Sequence, residues 1–315
     1  MTAYHRPVML AEVLGALAPR AGGVYVDGTL GAGGHAAAIL EASAPDGCLV
    51  GLDRDPQALA LARESLSPFG ERVRPIRSTF DRLPQVLAQL GLTGVDGLLL
   101  DLGVSSMQLD QAARGFAFRH DAPLDMRMAP EGETAAELLA RLDEKDMAGI
   151  LARLGEEPFA RRIARALVKA RQAASIASTG QLARLVEEAL PAAERRRRQI
   201  HPATQTFQAL RLYLNDELGQ LERFLAAAPS LLNPGGRLAV ISYHSLEDRR
   251  VKKALASYAH PCTCPPRLPR CQCGRLPLFT PLYRKALRPS PQEVADNPRA
   301  RSARLRAAMR TEAAA

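Results

Sequence analysis

Along the first hundred residues, short continuous apolar runs alternate with stretches whose apolar positions repeat every three or four residues. Met9, Leu10, Val13, Leu14 and Leu17 have helical spacing, and residues 19–23, with one proline and two glycines, stop that helix. Val24, Tyr25 and Val26 form a first buried-strand run that ends at Asp27 and enters a glycine-rich turn. Residues 48–52 form a second run ending at Asp53, residues 73–76 a weak third, and Leu98, Leu99 and Leu100 a fourth ending at Asp101. Residues 35–41, 56–66 and 83–90 between them read as helices, with Pro56 tolerated in a first turn. Continuous apolar strands alternating with helices predict an α/β fold whose parallel sheet is covered on both faces.

The rhythm then stops. From about residue 109 to 201 only helical patterns occur, at 135–142, 146–154, 159–173 and 179–190. Phe207, Leu210, Leu214, Leu218, Leu221 and Leu225 fall three or four apart and predict one long amphipathic helix. Asn233-Pro234-Gly235-Gly236 predicts a turn, and residues 237–243 a fifth strand. The expected organisation is an α/β domain in two parts, 1–108 and 206–315, interrupted by an all-helical insertion at 109–205.

Composition narrows this picture. With 47% hydrophobic and 24% charged residues in 315, the chain can bury a sizeable core, which excludes wholesale disorder. No apolar run approaches the roughly 18–20 residues that span a bilayer. The apolar stretch 8–18 is broken by Glu12 and lacks a basic leader, so a soluble, cytosolic protein is expected; monomer and dimer both fit. The net charge of +9 is uneven: residues 246–315 hold 15 Lys+Arg against 5 Asp+Glu, while residues 1–245 net −1. A localised basic footprint points to a polyanion such as nucleic acid. Arg195 to Arg198 are candidates for phosphate contact, with a solvated helix end as the favoured alternative, in an insertion that nets only +2.

The most informative segment runs from Asp27 through Gly28, Gly31, Gly33 and Gly34 to His35, where a buried strand turns into a helix. Glycines there let backbone approach a ligand, and helix N–H groups face it. Gly31-x-Gly33-x-x-Ala36 satisfies a dinucleotide fingerprint, which is weak alone. Asp27-x-x-x-Gly31-x-Gly33 also resembles motif I of S-adenosylmethionine-dependent methyltransferases, and we favour that reading because four residues separate the strand from the first glycine. Asp53, about 20 residues on, is placed for ribose hydroxyls. Phe80 is a candidate for the adenine face, with a plain core Phe as the alternative. Asp101, followed by Ser105, Ser106 and Gln108, ends the fourth strand beside the expected reaction centre; the alternative is a polar loop. Tyr243, His244 and Ser245 end the fifth strand, where Tyr243 is a stacking candidate for a flipped base and His244 or Ser245 a partner for its edge. Phe116 and Phe118 are further aromatic candidates.

Several segments together resemble the ribosomal RNA small subunit methyltransferase H family. They are residues 5–10 (His-Arg-Pro-Val-Met-Leu), 27–35, 101–106, 115–118 (Gly-Phe-Ala-Phe), 123–128 (Pro-Leu-Asp-Met-Arg-Met), 201–204 (His-Pro-Ala-Thr), 242–249 and 297–302. The resemblance runs from His5 to about Arg310 in order. It implies a Rossmann-like S-adenosylmethionine-dependent methyltransferase domain with an inserted helical domain for substrate recognition. It implies methylation of cytosine N4 in the decoding region of 16S rRNA, on RNA within the small ribosomal subunit. It implies cofactor contacts at Gly33, Gly34, His35, Asp53, Phe80, Asp101 and Gln108, to which the motif adds Asp27 and Gly31; Asp101, Ser105 and Ser106 are the catalytic candidates, and Tyr243, His244, Ser245, Phe116 and Arg127 the substrate candidates. N4 is a poor nucleophile because its lone pair is delocalised into the ring, so the enzyme must hold it in line with the methyl carbon and accept its N–H bonds.

Cys262-x-Cys264 and Cys271-x-Cys273 lie among prolines at 261, 265, 266 and 269. Four thiolates suit zinc, yet C-x-C is tighter than the usual C-x₂₋₄-C knuckle, so a reduced proline-rich loop stands as the alternative. Cys48, flanked by strand residues, reads as core. Two rival functions remain: cytosine-C5 methylation with Cys262 as nucleophile, and a non-enzymatic RNA-binding assembly factor.

Overall fold

The computed structural model describes residues 7–265 and 272–313. Cys271, with His5 and Arg6, lies outside the described residues. In chain order the first half-sheet comprises α1 (Leu10–Leu17), β1 (Val24–Asp27), α2 (Gly34–Ala42), β2 (Cys48–Asp53), α3 (Pro56–Ser65), β3 (Val73–Arg77), α4 (Leu83–Gln89) and β4 (Val95–Asp101). Seven helices follow: α5 (Ser106–Asp110), α6 (Ala135–Arg141), α7 (Glu144–Gly155), α8 (Ala160–Ala173), α9 (Thr179–Ala189), α10 (Ala192–Arg197) and α11 (Thr204–Leu214). The chain ends with α12 (Glu217–Leu231), β5 (Leu232–Ser242), α13 (Ser245–Ala259), β6 (Phe279–Pro281), α14 (Pro291–Asp296) and β7 (Arg304–Arg310). Two compact units result: Met1–Gly103 with Leu218–Ala315, and Val104–Glu217.

The first unit is a seven-stranded sheet in the order β3-β2-β1-β4-β5-β7-β6. β1 to β5 pair in parallel, while β7 runs antiparallel to both β5 and β6. Successive side chains alternate between two cores. Val26, Val50, Leu98, Leu100 and Val240 face one apolar cluster, with Phe224 and Leu225 of α12 and Val251 and Leu255 of α13. Tyr25, Leu49, Leu99, Ala239 and Ile241 face the other, with Val13 and Leu17 of α1 and Ile39 and Leu40 of α2. A sheet covered on both faces explains why its strands read as continuous apolar runs.

Four expectations are corrected. The single amphipathic helix over 207–225 is two helices, because Asp216 takes a left-handed φ of 49° between α11 and α12. The Asn233–Gly236 turn, residues 233–236, is a bulge inside β5: Leu232 pairs with Val95, but Arg237 already pairs with Gly97. Cys48 is exposed at the start of β2 rather than core. The basic C-terminal region, for which no strand is expected, ends in a sheet strand, since Leu305, Ala307 and Ala308 of β7 are buried.

The second unit is helical, and its core joins Leu138 and Leu139 of α6, Ile150 and Leu151 of α7, Ile163 and Leu167 of α8, Leu182 and Val186 of α9, and Phe207 and Leu210 of α11. Capping boxes open α5 and α6, at Ser105/Gln108 and Thr134/Glu137.

Candidate active site

β1 and β4 are adjacent, and the order reverses there, which makes their carboxyl ends the topological switch point where open α/β sheets bind ligands. Asp27, Asp53 and Asp101 each end a strand at this edge. The connection after β1 is shaped by hydrogen bonds. Asp27 Oδ1 accepts from the Thr29 amide at 3.0 Å, and Asp53 Oδ2 accepts from the Gly31 amide at 2.9 Å while its Oδ1 takes the Asp55 amide at 2.9 Å. Thr29 Oγ1 accepts from the Asp101 amide at 2.6 Å and so ties the loop to β4. Gly33 caps α2 at φ 89°, and a Cβ there would lie 2.9 Å from Leu66, so only glycine fits. Gly34 then begins α2.

His35 is buried, and its Nε2–H donates to the Val8 carbonyl at 2.9 Å. Burial lowers its pKa, against the pull of Asp27, and its Nδ1 lies 3.8 Å from Asp101 Oδ2. Burial also pushes Asp27 up to about 6; His35 and the Thr29 hydrogen bond oppose this, while the charges of Asp101 and Asp53 add to it. Asp53 is raised by burial as well. Among the described residues no arginine or lysine pairs with Asp27 or Asp53.

Three mutually repelling carboxylates at one sheet edge reject a pyrophosphate and suit a ligand that carries positive charge and hydroxyl groups. Asp27 is 1% exposed and has Thr29 as its hydrogen-bond partner among the described residues, so a cationic group there would relieve a buried, uncompensated acid. This donor set fits the ammonium, sulfonium and ribose of S-adenosylmethionine. Phe80 begins the turn after β3 and packs edge-on against Phe224 with centroids 5.9 Å apart, so one side of its ring is anchored in the core.

At the end of β5, the Tyr243 hydroxyl donates to Asp101 Oδ1 at 2.8 Å. Burial, then the charge of Asp101, raises the Tyr243 pKa, so this proton stays on the tyrosine. His244 is the N-cap of α13, with Nδ1 accepting from the Glu247 amide at 3.4 Å and Nε2 lying 3.1 Å from Glu247 Oε1. Glu247 Oε2 in return accepts from the Tyr243 amide at 2.9 Å. Ser245 is exposed in the first turn. Tyr243, His244 and Ser245 line a pocket of about 140 Å³ with Arg288, Arg301, Ser302 and Arg304.

The second unit holds the remaining candidates. Ser105 Oγ accepts from the Gln108 amide at 3.2 Å, and Gln108 Oε1 accepts from the Ser105 amide at 3.0 Å. The serine keeps its O–H as a donor. Ser106 is the first residue of α5. Phe116 is buried beneath the Arg114 guanidinium, 5.9 Å from its ring centroid. Arg127 is committed to its own loop: it forks onto Asp125 at 2.9 and 2.8 Å and donates to the Pro130 and Gly132 carbonyls. Phe118 stacks on His201 and Phe207, with centroids 4.5 and 4.8 Å away. Arg198 corrects the solvated-run expectation, being buried in a pair with Glu157 at 2.7 Å while Arg195 and Arg196 are exposed.

Three residues were missed. Thr29 has no local signal. Glu247 lies three residues after His244, a capping-box spacing with histidine in place of Ser or Thr. Asp248 binds Arg304 at 3.0 Å and Arg306 at 2.7 Å, so two of the arginines expected to meet RNA fasten β7 to α13.

A protein 58% identical over 309 residues, named ribosomal RNA small subunit methyltransferase H, occurs in Geobacter sulfurreducens; the match covers 98% of this chain and 99% of that one. Proteins of the same name in Geotalea uraniireducens and Symbiobacterium thermophilum are 55% and 52% identical, over 97% and 99% of this chain and 98% of each of theirs. The model of the MraW methylase family matches residues 2–311, and the chain belongs to that family.

Proposed function

We propose that the chain transfers a methyl group from S-adenosylmethionine to N4 of a cytidine in 16S rRNA, acting on RNA within the small ribosomal subunit and hence in the cytoplasm. The observation that carries this reading is the trio Asp27, Asp53 and Asp101 around a glycine turn, where burial pushes Asp27 up to about 6. The name shared by the relatives supports the choice of RNA.

When bound, the cofactor supplies an electrophilic methyl carbon. Asp27 would receive its ammonium, Asp53 its ribose hydroxyls and the Gly34 amide at the start of α2 its carboxylate, while Gly31 and Gly33, whose amides hold Asp53 and the Leu30 carbonyl, shape the turn; Phe80 would border the adenine. Asp101, aimed by Tyr243, accepts an N–H of the amine and so directs the nitrogen lone pair along the transfer line. Within the second unit, Ser105, Ser106, Phe116 and Arg127 are the candidate RNA contacts, and Gln108 holds the Ser105 backbone. His244 and Ser245 meet the substrate strand beside Tyr243.

A C5 mechanism needs a thiolate at the reaction centre. Cys48 begins β2, at the opposite edge of the sheet from Asp53, and Cys262 and Cys264 follow the far end of α13. Mass mapping of 16S rRNA from a deletion strain, with and without complementation, tests the proposal. N4-methylcytidine should vanish on deletion and return on complementation; loss of a C5 mark, or of none, overturns it.

A further inference from the structure

We infer that Cys262, Cys264 and Cys273 form a zinc site that staples the loop between α13 and β6, independently of methyl transfer. Their three sulfurs lie within 4.8 Å of one another. Tetrahedral zinc with bonds of about 2.3 Å holds its sulfurs about 3.8 Å apart, so a contraction of about 1 Å closes the site. Soft thiolates select zinc-class ions over magnesium or calcium.

Two features of the loop support a metal rather than a chance cluster. The Gln272 amide donates to Cys264 Sγ at 3.3 Å, and such N–H donors to sulfur stabilise the thiolate form that a metal requires. Gly274, directly after Cys273, takes φ 64°, which lets the chain turn sharply behind that sulfur.

The loop also needs a staple. Its neck is closed where the Leu278 amide donates to the Tyr258 carbonyl at 2.9 Å and the Tyr258 and Phe279 rings meet at 5.7 Å. Between Ala259 and Phe279 no helix or strand occurs among the described residues, and Leu276 is 66% exposed, so the loop has no core of its own. A metal clip across such a segment restricts its unfolded conformations. Zinc bound by three thiolates has room for one more donor, such as water. α13 begins next to Tyr243 and spans about 22 Å, so the cysteines follow the end of the helix away from Tyr243.

The test is metal analysis of the full chain, purified without chelator and kept reduced. About one zinc per chain is expected, released in step with titration of its thiols by a mercurial. The Cys262→Ser/Cys264→Ser pair should lose it while binding S-adenosylmethionine as wild type does; Cys48→Ser should keep it. Should the pair fail to fold, the mercurial titration of wild-type protein decides alone. Less than about a tenth of an equivalent after dialysis against zinc, or a disulfide among these cysteines in reduced protein, overturns the inference. Loss of methylation with zinc retained would count against the proposed function instead.

Discussion

The Tyr243 hydroxyl donates a 2.8 Å hydrogen bond to Asp101 Oδ1 and thereby couples the carboxyl ends of β5 and β4. The bond fixes one carboxylate oxygen and orients the other. Tyr243→Phe should lower the rate of methyl transfer about tenfold, worth about 1.4 kcal/mol, while the cofactor Kd moves less than about twofold. Asp101→Ala should cost about 10²–10³-fold without unfolding the chain. Single-turnover methylation of small subunits, with calorimetry for the cofactor, separates the two effects; a wild-type rate in either variant removes that residue from the mechanism.

Cofactor affinity should depend on pH through Asp27. Its folded pKa, near 6, lies above the ordinary 3.8, so the free protein binds the extra proton between those values and gains stability as pH falls through 6. A cationic ligand favours the carboxylate and must expel that proton. S-adenosylmethionine Kd should be flat above pH about 6 and rise up to about tenfold per unit below it. Calorimetry in buffers of different ionisation enthalpy should detect proton release at pH 5.5; a flat profile would show that Asp27 does not meet the cation.

The basic residues of the C-terminal region divide into two sets. Arg288 and Arg301 are exposed at the Tyr243 pocket and form no ion pair among the described residues, whereas Arg304 and Arg306 are paired with Asp248. Arg288→Ala with Arg301→Ala should reduce the salt slope of RNA binding by about 1–2 and leave Tm unchanged. Arg306→Ala should instead cost about 1–3 kcal/mol of stability. Urea unfolding and filter binding over a salt series distinguish them.

Arg198 is expected to be a stability residue. Its hydrogen bonds to Glu157 raise its pKa against burial, and the Glu157 side chain is fully buried. Arg198→Ala leaves that carboxylate unpaired and should destabilise the protein by about 3–5 kcal/mol, whereas Arg195→Ala should stay within about 0.5 kcal/mol. Denaturant unfolding of both variants measures the difference.

Much of this was legible along the chain because the relevant physics is local. Continuous apolar runs identified β1, β2 and β4, since strands buried on both faces carry no polar alternation. Asp27, Asp53 and Asp101 were legible as the ends of apolar runs, and each ends a strand at one edge of the sheet. The helical periodicity of α6 to α9 separated the inserted region from the sheet.

Pairing across the chain was decided only by the tertiary structure. Residues 304–310 read as part of a basic stretch, because three arginines mask the apolar alternation of β7; the sheet makes them a strand, and Asp248 pairs with two of the three. Cys48 reads as core from its neighbours, yet the first residue of a strand projects past the layer that buries the rest. Tyr243 and Asp101 are 142 residues apart, and no local pattern predicts their bond. Sequence periodicity reports which face of an element is buried, while hydrogen bonds and ion pairs depend on which elements the folded sheet sets side by side.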